Sequence, residues 1–374
     1  MVKGNGYGHG SLGLSSILDR LHLVDALGVA SLREATELRL SGVRLPISVF
    51  TPCFGVFPDI LKHYLIPAIH TFDSLFAFEQ AAKKLKRTKA PFHLALDSGM
   101  HRVGFEPAQI PELIKSLKGC SAIAPISVFS HLATADDVQH DSFTHSQIDL
   151  FELMSRQICD ALPDPVMRHI LNSAGTERFP SAQFDMVRIG IGMYGVSAID
   201  SSLLRHPSTL HCPIIQIKDI PFGETVGYGR HGKTLDGAKR IATLPIGYAD
   251  GVDRRLSQGK GRFLVHGVLA PTIGNICMDM CMIDIGDTPA AVGDTVTLFG
   301  GNVVTPSVSN AVTPSVSNAV TPSVSNAVTP CVRNAVTPCG NAPAPTAIEW
   351  ANTLGTIPYE IYTSIARRVE RVYS

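Results

Sequence analysis

Met1-Val2-Lys3-Gly4-Asn5-Gly6-Tyr7-Gly8-His9-Gly10 opens the chain: an apolar stub, one lysine, then a turn with glycine at every second position. The stub reads as the end of a strand and the glycines as a turn leading into a helix. Working outward, short apolar runs recur at Ala26–Ser31, Ile47–Phe50, Leu65–Ile69, His93–Asp97, Ser127–His131, His169–Ser173 and Val187–Ile189. Amphipathic helical stretches separate most of them, among them Leu32–Leu40 capped by Ser31, Ser74–Lys86 and Ile110–Leu117. Near-continuous apolar strands alternating with helices predict a parallel sheet covered on both faces. Seven runs and the stub make eight, the strand number of a (β/α)8 TIM-type barrel. An open doubly wound sheet is the alternative. The stub is far shorter than the roughly five residues of an ordinary strand, so the first strand is expected to be largely missing: either the true start lies upstream, or this is a fragment or a decayed copy.

From about residue 210 the pattern changes. Ile214–Ile220, Thr225–Tyr228, Ile241–Ile246, Arg262–Val265, Cys281–Ile285 and Thr295–Phe299 read as strands with little helix between them, a separate and mostly antiparallel β domain. The expected division is 1–208 for the barrel and 209–374 for the β domain, interrupted at about 303–344 by a low-complexity insert. Asn302, Asn310, Asn318, Asn326 and Asn334 mark its eight-residue period, Asn-Ala-Val-Thr-Pro-Ser-Val-Ser. A proline in each unit bars helix and central strand. The valines are too sparse to build a core, so the insert reads as a tandemly expanded surface loop without chemistry. Ala347–Leu354 then reads as a short helix and Tyr359–Tyr373 as the closing segment.

With 374 residues, 45% of them hydrophobic, the chain has material for two cores. Its 32 basic and 32 acidic residues balance, which argues against nucleic acid or an anionic membrane as the main partner. No apolar run approaches the length that spans a bilayer. Eight scattered cysteines form no Cys-x-x-Cys, so reduced thiols and no metal site are expected.

A lysine held at a strand's C-terminal edge suits a Schiff-base cofactor such as pyridoxal phosphate, because burial lowers its pKa and the strand aims its amine. Barrel enzymes gather their chemistry at the C-terminal ends of strands, and Lys3, Asp97, His131, His169, Ser173 and Arg188 all fall there. Taken singly, each has a plainer reading: a surface lysine before a loop, or histidines satisfied in a core. Together they are accompanied by Tyr7-Gly8-His9-Gly10, Leu96-Asp97-Ser98-Gly99-Met100-His101-Arg102-Val103-Gly104, Ser130-His131-Leu132-Ala133-Thr134-Ala135-Asp136 and Asn172-Ser173-Ala174. Val187-Arg188-Ile189-Gly190, Gly247-Tyr248-Ala249-Asp250-Gly251, Cys277-Met278-Asp279 and Ile357-Pro358-Tyr359-Glu360 follow. On these motifs the chain resembles the alanine racemases, fold-type III pyridoxal-phosphate enzymes with a barrel and a C-terminal β domain. The resemblance covers essentially everything except the repeat.

The resemblance implies a cytoplasmic homodimer that interconverts L- and D-alanine with pyridoxal 5'-phosphate, supplying D-alanine for peptidoglycan. Lys3 would carry the cofactor. Tyr7, Ser173, Tyr359 and the backbone amides of Gly190 and Ile191 would hold its phosphate. Arg188, a donor that is never deprotonated, would face the pyridine nitrogen and keep it unprotonated, which discourages side reactions. His169 would hold Arg188, and His131 would line the ring. Racemisation needs a proton carrier on each face of the substrate. Lys3 and Tyr248 would be the pair, with Tyr248 reaching the partner subunit's cofactor. Arg102 and the backbone N–H of Met278 would hold the substrate carboxylate.

Three departures from the family pattern stand out. The family usually has thirty or more residues before its lysine. Ala95 replaces a lysine that many members carry as a carbamate bracing the arginine. Gly274-Asn275 stands where Gly-Arg is common, and the repeat replaces a short loop. The alternatives are a non-catalytic pyridoxal-phosphate-binding barrel, a decarboxylase or a broader amino-acid racemase on the same two-domain plan, and an inactive truncated racemase product. Tyr248 and its β domain speak against the first, and Tyr-Ala-Asp-Gly, where decarboxylases commonly use a cysteine, against the decarboxylase. The missing strand and the repeat expansion are what the third predicts, and the complete set of chemical residues speaks against it.

Overall fold

The computed structural model describes residues 1–300 and 342–373, so the body of the repeat lies outside the described residues. Six parallel strands come first: β1 (Leu27–Val29), β2 (Ile47–Val49), β3 (Ile66–Ile69), β4 (Ala90–Ala95), β5 (Ile123–Phe129) and β6 (Met167–His169). They pair in chain order. Most of their side chains are buried, β1 and β2 entirely and the C-terminal ends of β3 to β6 as well, as a sheet covered on both faces requires. The helix Leu32–Leu40 starts where expected because Ser31 and Glu34 form a reciprocal capping box.

The remaining two staves are too short to count as strands. Asp185 N donates to Arg168 O (3.0 Å) and Arg188 N to Leu171 O (3.0 Å), so residues 185–188 run beside β6 and its continuation. Met1 N donates to Ile189 O (2.7 Å) and Val2 N to Gly28 O (2.9 Å), which places the stub between that segment and β1. The ring thus has eight members, a (β/α)8 barrel in which two contribute single hydrogen bonds instead of a ladder. Two expectations need correction. Val187–Ile189 is not a ladder strand, and the sixth strand ends at His169, not Ser173. The second follows from Asn172, whose Oδ1 accepts from Gly175 N (2.8 Å) and starts the helix Ser173–Arg178.

Antiparallel sheets follow. β7 (Thr209–Pro213), β8 (Gln216–Ile220), β9 (Thr225–Val226), β10 (Gly232–Lys233), β11 (Lys239–Leu244), β12 (Arg262–Val265), β13 (Val268–Pro271), β14 (Cys281–Asp284) and β15 (Thr295–Gly300) form sheets ordered β10-β9, β14-β11-β8 and β13-β12-β15-β7. β7, β10 and β13 were not among the expected strands, and β7 and β13 each end in proline. Both are edges of their sheet, where a missing N–H is tolerated.

The described flanks of the repeat meet at this sheet: Gly300 N donates to Pro345 O (2.8 Å) and Ala342 N to Gly267 O (3.2 Å). Replacing roughly residues 303–340 by a short Gly-Ser link should therefore leave the thermal midpoint and cofactor uptake unchanged. A fall of more than about 4 °C, which in a protein this size corresponds to roughly 3 kcal/mol lost, would show that the repeat contributes to the fold.

Candidate active site

The segment after Lys3 is one turn of left-handed helix: Gly4 (φ 62°, ψ 44°), Asn5 (φ 56°, ψ 44°) and Gly6 (φ 62°, ψ 43°), followed by Tyr7 at φ 51°. Glycine accepts this backbone freely and asparagine more readily than most, which explains Gly-Asn-Gly. Tyr7 does not, and holding it there costs about 1–3 kcal/mol. Its ring is buried and stacked on Tyr194, centroids 4.7 Å apart. At Gly8 a Cβ would lie 1.8 Å from Tyr362 O, so no side chain fits. The C-terminal tail clamps the turn. Arg371 donates from Nε (3.1 Å) and Nη2 (2.8 Å) to Gly8 O, and the Tyr373 hydroxyl donates to His9 O (2.8 Å) and Gly10 O (3.0 Å). Sequence reasoning missed both residues, since contacts to backbone carbonyls leave no motif.

Nine of the expected site residues line one cavity of about 360 Å³ at the barrel mouth: Lys3, Tyr7, Arg102, His131, Ser173, Arg188, Gly190, Ile191 and Tyr359. His70, Thr51 and Asn172 line it too and were not foreseen. No carboxylate is among the lining residues, so the cavity is built for anions. Lys3 is exposed to this space, not buried as expected. Its amine is nevertheless pushed below the ordinary lysine range, first by desolvation and then by the charge of Arg102, with Glu34 opposing. Burial, with Tyr359 adding to it, pushes the Tyr7 phenol up to about 12, so it stays a neutral donor.

Arg188 is buried and surrounded by acceptors. Nη1 donates to His169 Nδ1 (2.5 Å) and His169 O (3.2 Å); Nη2 donates to Ser130 O (2.5 Å) and Ile170 O (3.1 Å) and lies 3.3 Å from His131 Nδ1. Its Nε has no partner among the described residues. Burial and Arg102 pull the guanidinium down to about 9, still charged at neutral pH. His131 falls to about 3 through burial, then Arg188, Arg102 and Lys3, so it stays neutral. His169 does not line the cavity; it sits behind Arg188.

Ser173 Oγ accepts from Gly190 N (2.9 Å) and Gly192 N (3.1 Å), while Ile191 N makes no hydrogen bond among the described residues. A Cβ at Gly190 would stand 2.7 Å from Tyr7 Oη, so this corner of the cavity exists because position 190 has no side chain. Arg102 is delivered by the loop after β4. There Asp97 Oδ1 accepts from Gly99 N (2.9 Å) and His101 N (3.1 Å), and Gly104 at φ 119° closes the loop against Asp97 N. Arg102 makes no ion pair among the described residues. Ala95 is buried in an apolar cluster with Ala68 and Phe129, with Phe50 against it, and offers the arginine nothing.

Tyr248 and Met278 stand elsewhere. Neither lines the cavity of Lys3, and both are exposed, 44% and 54%. They are neighbours: Tyr248 N donates to Cys277 O (3.0 Å) and Ala249 N to Met278 O (3.0 Å). Gly247 permits this approach, since a Cβ there would lie 2.3 Å from Cys277 O. Asp250 closes the turn by accepting from Gly247 N (2.9 Å). Arg368, unremarked in the sequence, ties the two loops together through Asp250 (2.6 Å) and Asp279 (2.6 Å).

A parallel barrel with a lysine and two arginines at its mouth, followed by antiparallel sheets bearing an exposed tyrosine, is the architecture of a two-part barrel enzyme. The profile of the alanine racemase N-terminal domain matches residues 1–198, and that of the alanine racemase C-terminal domain matches residues 208–329. Alanine racemase 1 of Clostridium acetobutylicum is 33% identical over 383 aligned positions, spanning 100% of this chain and 88% of that protein. The alanine racemase of Clostridium novyi is 34% identical, with the same coverage. Among solved structures, alanine racemase of Clostridium difficile 630 superposes with a TM-score of 0.82 at 31% identity, over 100% of this chain and 87% of that one. The enzyme of D-cycloserine-producing Streptomyces lavendulae gives 0.82 at 30%, over 100% and 89%. The chain belongs to the alanine racemase family, whose members are pyridoxal-phosphate enzymes.

Proposed function

We propose that this chain interconverts L- and D-alanine as a cytoplasmic homodimer with pyridoxal 5'-phosphate, Lys3 and Tyr248 carrying protons on opposite faces of the substrate. The supporting observation is the carboxylate-free cavity that joins an amine of lowered pKa to a buried, charged guanidinium with one free donor. That donor set fits the cofactor: an amine for its aldehyde, Arg188 Nε for its ring nitrogen, and a corner of hydroxyls and amides for its phosphate. When bound, the cofactor draws electrons from the substrate's α-carbon and makes its proton removable.

The chain's own residues do the rest. Lys3 holds the cofactor and moves the proton on one face. Tyr7, Ser173, Tyr359 and the free amide of Ile191 bind the phosphate, while the Gly190 amide, which donates to Ser173 Oγ (2.9 Å), orients that hydroxyl toward it. Arg188 donates to the ring nitrogen and, being cationic, discourages its protonation. His169 positions Arg188, and His131 lines the ring. Arg102 and the Met278 amide orient the substrate carboxylate. Tyr248 and Met278 come from the partner subunit, which accounts for their exposure together outside the cavity. Residues 1–208 form the cofactor barrel and 209–374 the β domain, and D-alanine for peptidoglycan is the product's use. Borohydride reduction of the loaded protein should fix the cofactor on a single peptide, the one containing Lys3. Label on another lysine, or none after soaking with cofactor, would overturn the assignment.

A further inference from the structure

Behind the cavity, the apolar interior of the barrel holds a line of polar side chains. Ser48 on β2, His93 on β4, Ser127 on β5 and His169 on β6 are all buried, none more than 5% exposed. Ser48 Oγ lies 2.7 Å from His93 Nε2, His93 Nδ1 lies 2.6 Å from Ser127 Oγ, and Ser127 Oγ lies 3.0 Å from His169 Nε2. His169 Nδ1 receives Arg188 Nη1. The contact between β2 and β4 crosses β3, where the fully buried residue paired with His93 is the small Ala68. Phe50 stacks on His93 (6.2 Å, 4°) and Phe129 on His169 (5.4 Å, 11°), so both rings are fixed in plane.

Proton positions in this line follow from its one charged end. A guanidinium only donates. His169 must therefore present a lone pair at Nδ1, carry its proton on Nε2 and donate to Ser127 Oγ. The Ser127 hydroxyl then directs its proton to His93 Nδ1, and His93, protonated on Nε2, donates to Ser48. The opposite tautomer of His93 would leave the buried Ser127 O–H without an acceptor among the described residues, which is unfavourable. Burial and the charge of Arg188 hold both rings neutral, His93 at about 4 and His169 well below the ordinary histidine value.

We propose that Ser48, His93 and Ser127 are positioning residues for the cofactor-ring nitrogen, acting through His169 and Arg188 as a one-way chain of neutral hydrogen bonds. The chain fixes the rotamer of Arg188, so that Nε is the donor left for the cavity. It holds no carboxylate that would draw off the guanidinium's charge. This role rests on the cofactor reading above; the direction of the chain does not.

The test uses nitrogen-15-labelled full-length apoprotein at neutral pH and long-range proton–nitrogen correlation spectra of its histidines. His93 and His169 should both appear as neutral Nε2–H tautomers. Ser127→Ala cuts the chain, and His93 should become a mixture of tautomers. Absorbance titration with pyridoxal phosphate should then show binding weakened about tenfold, the scale of one lost buried hydrogen bond. Ser127→Thr, which keeps the hydroxyl, should restore both readouts. If Ser127→Ala does not fold, Ser48→Ala removes the terminal acceptor and should likewise release the His93 tautomer. A proton on Nδ1 or a charged ring at either histidine in the wild type overturns the chain while leaving the cofactor reading intact. Unchanged tautomers and affinity in the folded variants overturn the positioning role. Correct tautomers in a wild-type apoprotein that takes up no cofactor overturn the cofactor reading, and the positioning role falls with it.

Discussion

Replacing Tyr248 with phenylalanine is expected to lower racemisation by about 10²–10⁴-fold, the range for losing one acid–base group, while cofactor uptake stays at the wild-type level. The separation of the two effects comes from the geometry. The Tyr248 hydroxyl has no hydrogen-bond partner among the described residues, and the ring is 44% exposed. Its loop is held by backbone and by others' side chains: Gly247 against Cys277 O, Asp250 on Gly247 N, and Arg368 across to Asp279. Removing one oxygen leaves that scaffold and the Lys3 cavity untouched, so only proton transfer is lost. A chiral assay of alanine turnover beside an absorbance titration of the cofactor makes the check. A Tyr248→Phe protein that racemises alanine normally removes the two-base proposal.

What the sequence showed best were features written in consecutive residues. Ser31 marked the start of the helix Leu32–Leu40 to the residue, and the apolar run Ile47–Phe50 held the buried strand Ile47–Val49. The cavity residues were legible because Lys3, Arg102, His131 and Arg188 each sit in a motif beyond a strand, and the barrel brings all such places to one mouth. Five of the barrel strands were read one to four residues too far along the chain, whereas the run ending at Ile69 stopped where the strand does. Polar residues Asp97 and His131 follow the ladders that end at Ala95 and Phe129, and Asp97 turns the chain by accepting from Gly99 N and His101 N. The 21-residue helix Asp141–Ala161 was not singled out among the helical stretches because its buried face includes Thr144, Gln147 and Ser155. Supports that act on backbone carbonyls or through buried hydroxyls were invisible as well: Arg371 on Gly8 O, and Ser127 between two histidines. For these, only a polar residue inside an otherwise apolar strand, as in Pro-Phe-His-Leu-Ala, gave a signal.

The larger effect is expected from Lys3→Ala, which removes the cofactor's attachment point together with one proton carrier and should reduce racemisation to background. Nothing else in the fold depends on that side chain: it is exposed to the cavity and makes no hydrogen bond among the described residues, so the variant should fold and dimerise. That makes it a partner for Tyr248→Phe. In a single chain Tyr248 is absent from the walls of the Lys3 cavity, so a complete site in the proposed dimer draws Lys3 from one subunit and Tyr248 from the other. A heterodimer of the two inactive variants then contains one site with both defects and one with neither. Free exchange of equal amounts makes half of the dimers mixed, each with one of two sites intact, so about a quarter of wild-type activity should return in a twofold-symmetric dimer. Light scattering and a mass-tagged subunit establish that exchange has occurred. Inactivity of the demonstrated heterodimer would place Tyr248 and Lys3 of the same subunit in one site. That in turn would require the loop held by Arg368 to leave its present position and close over the barrel mouth, because the described arrangement keeps the two apart.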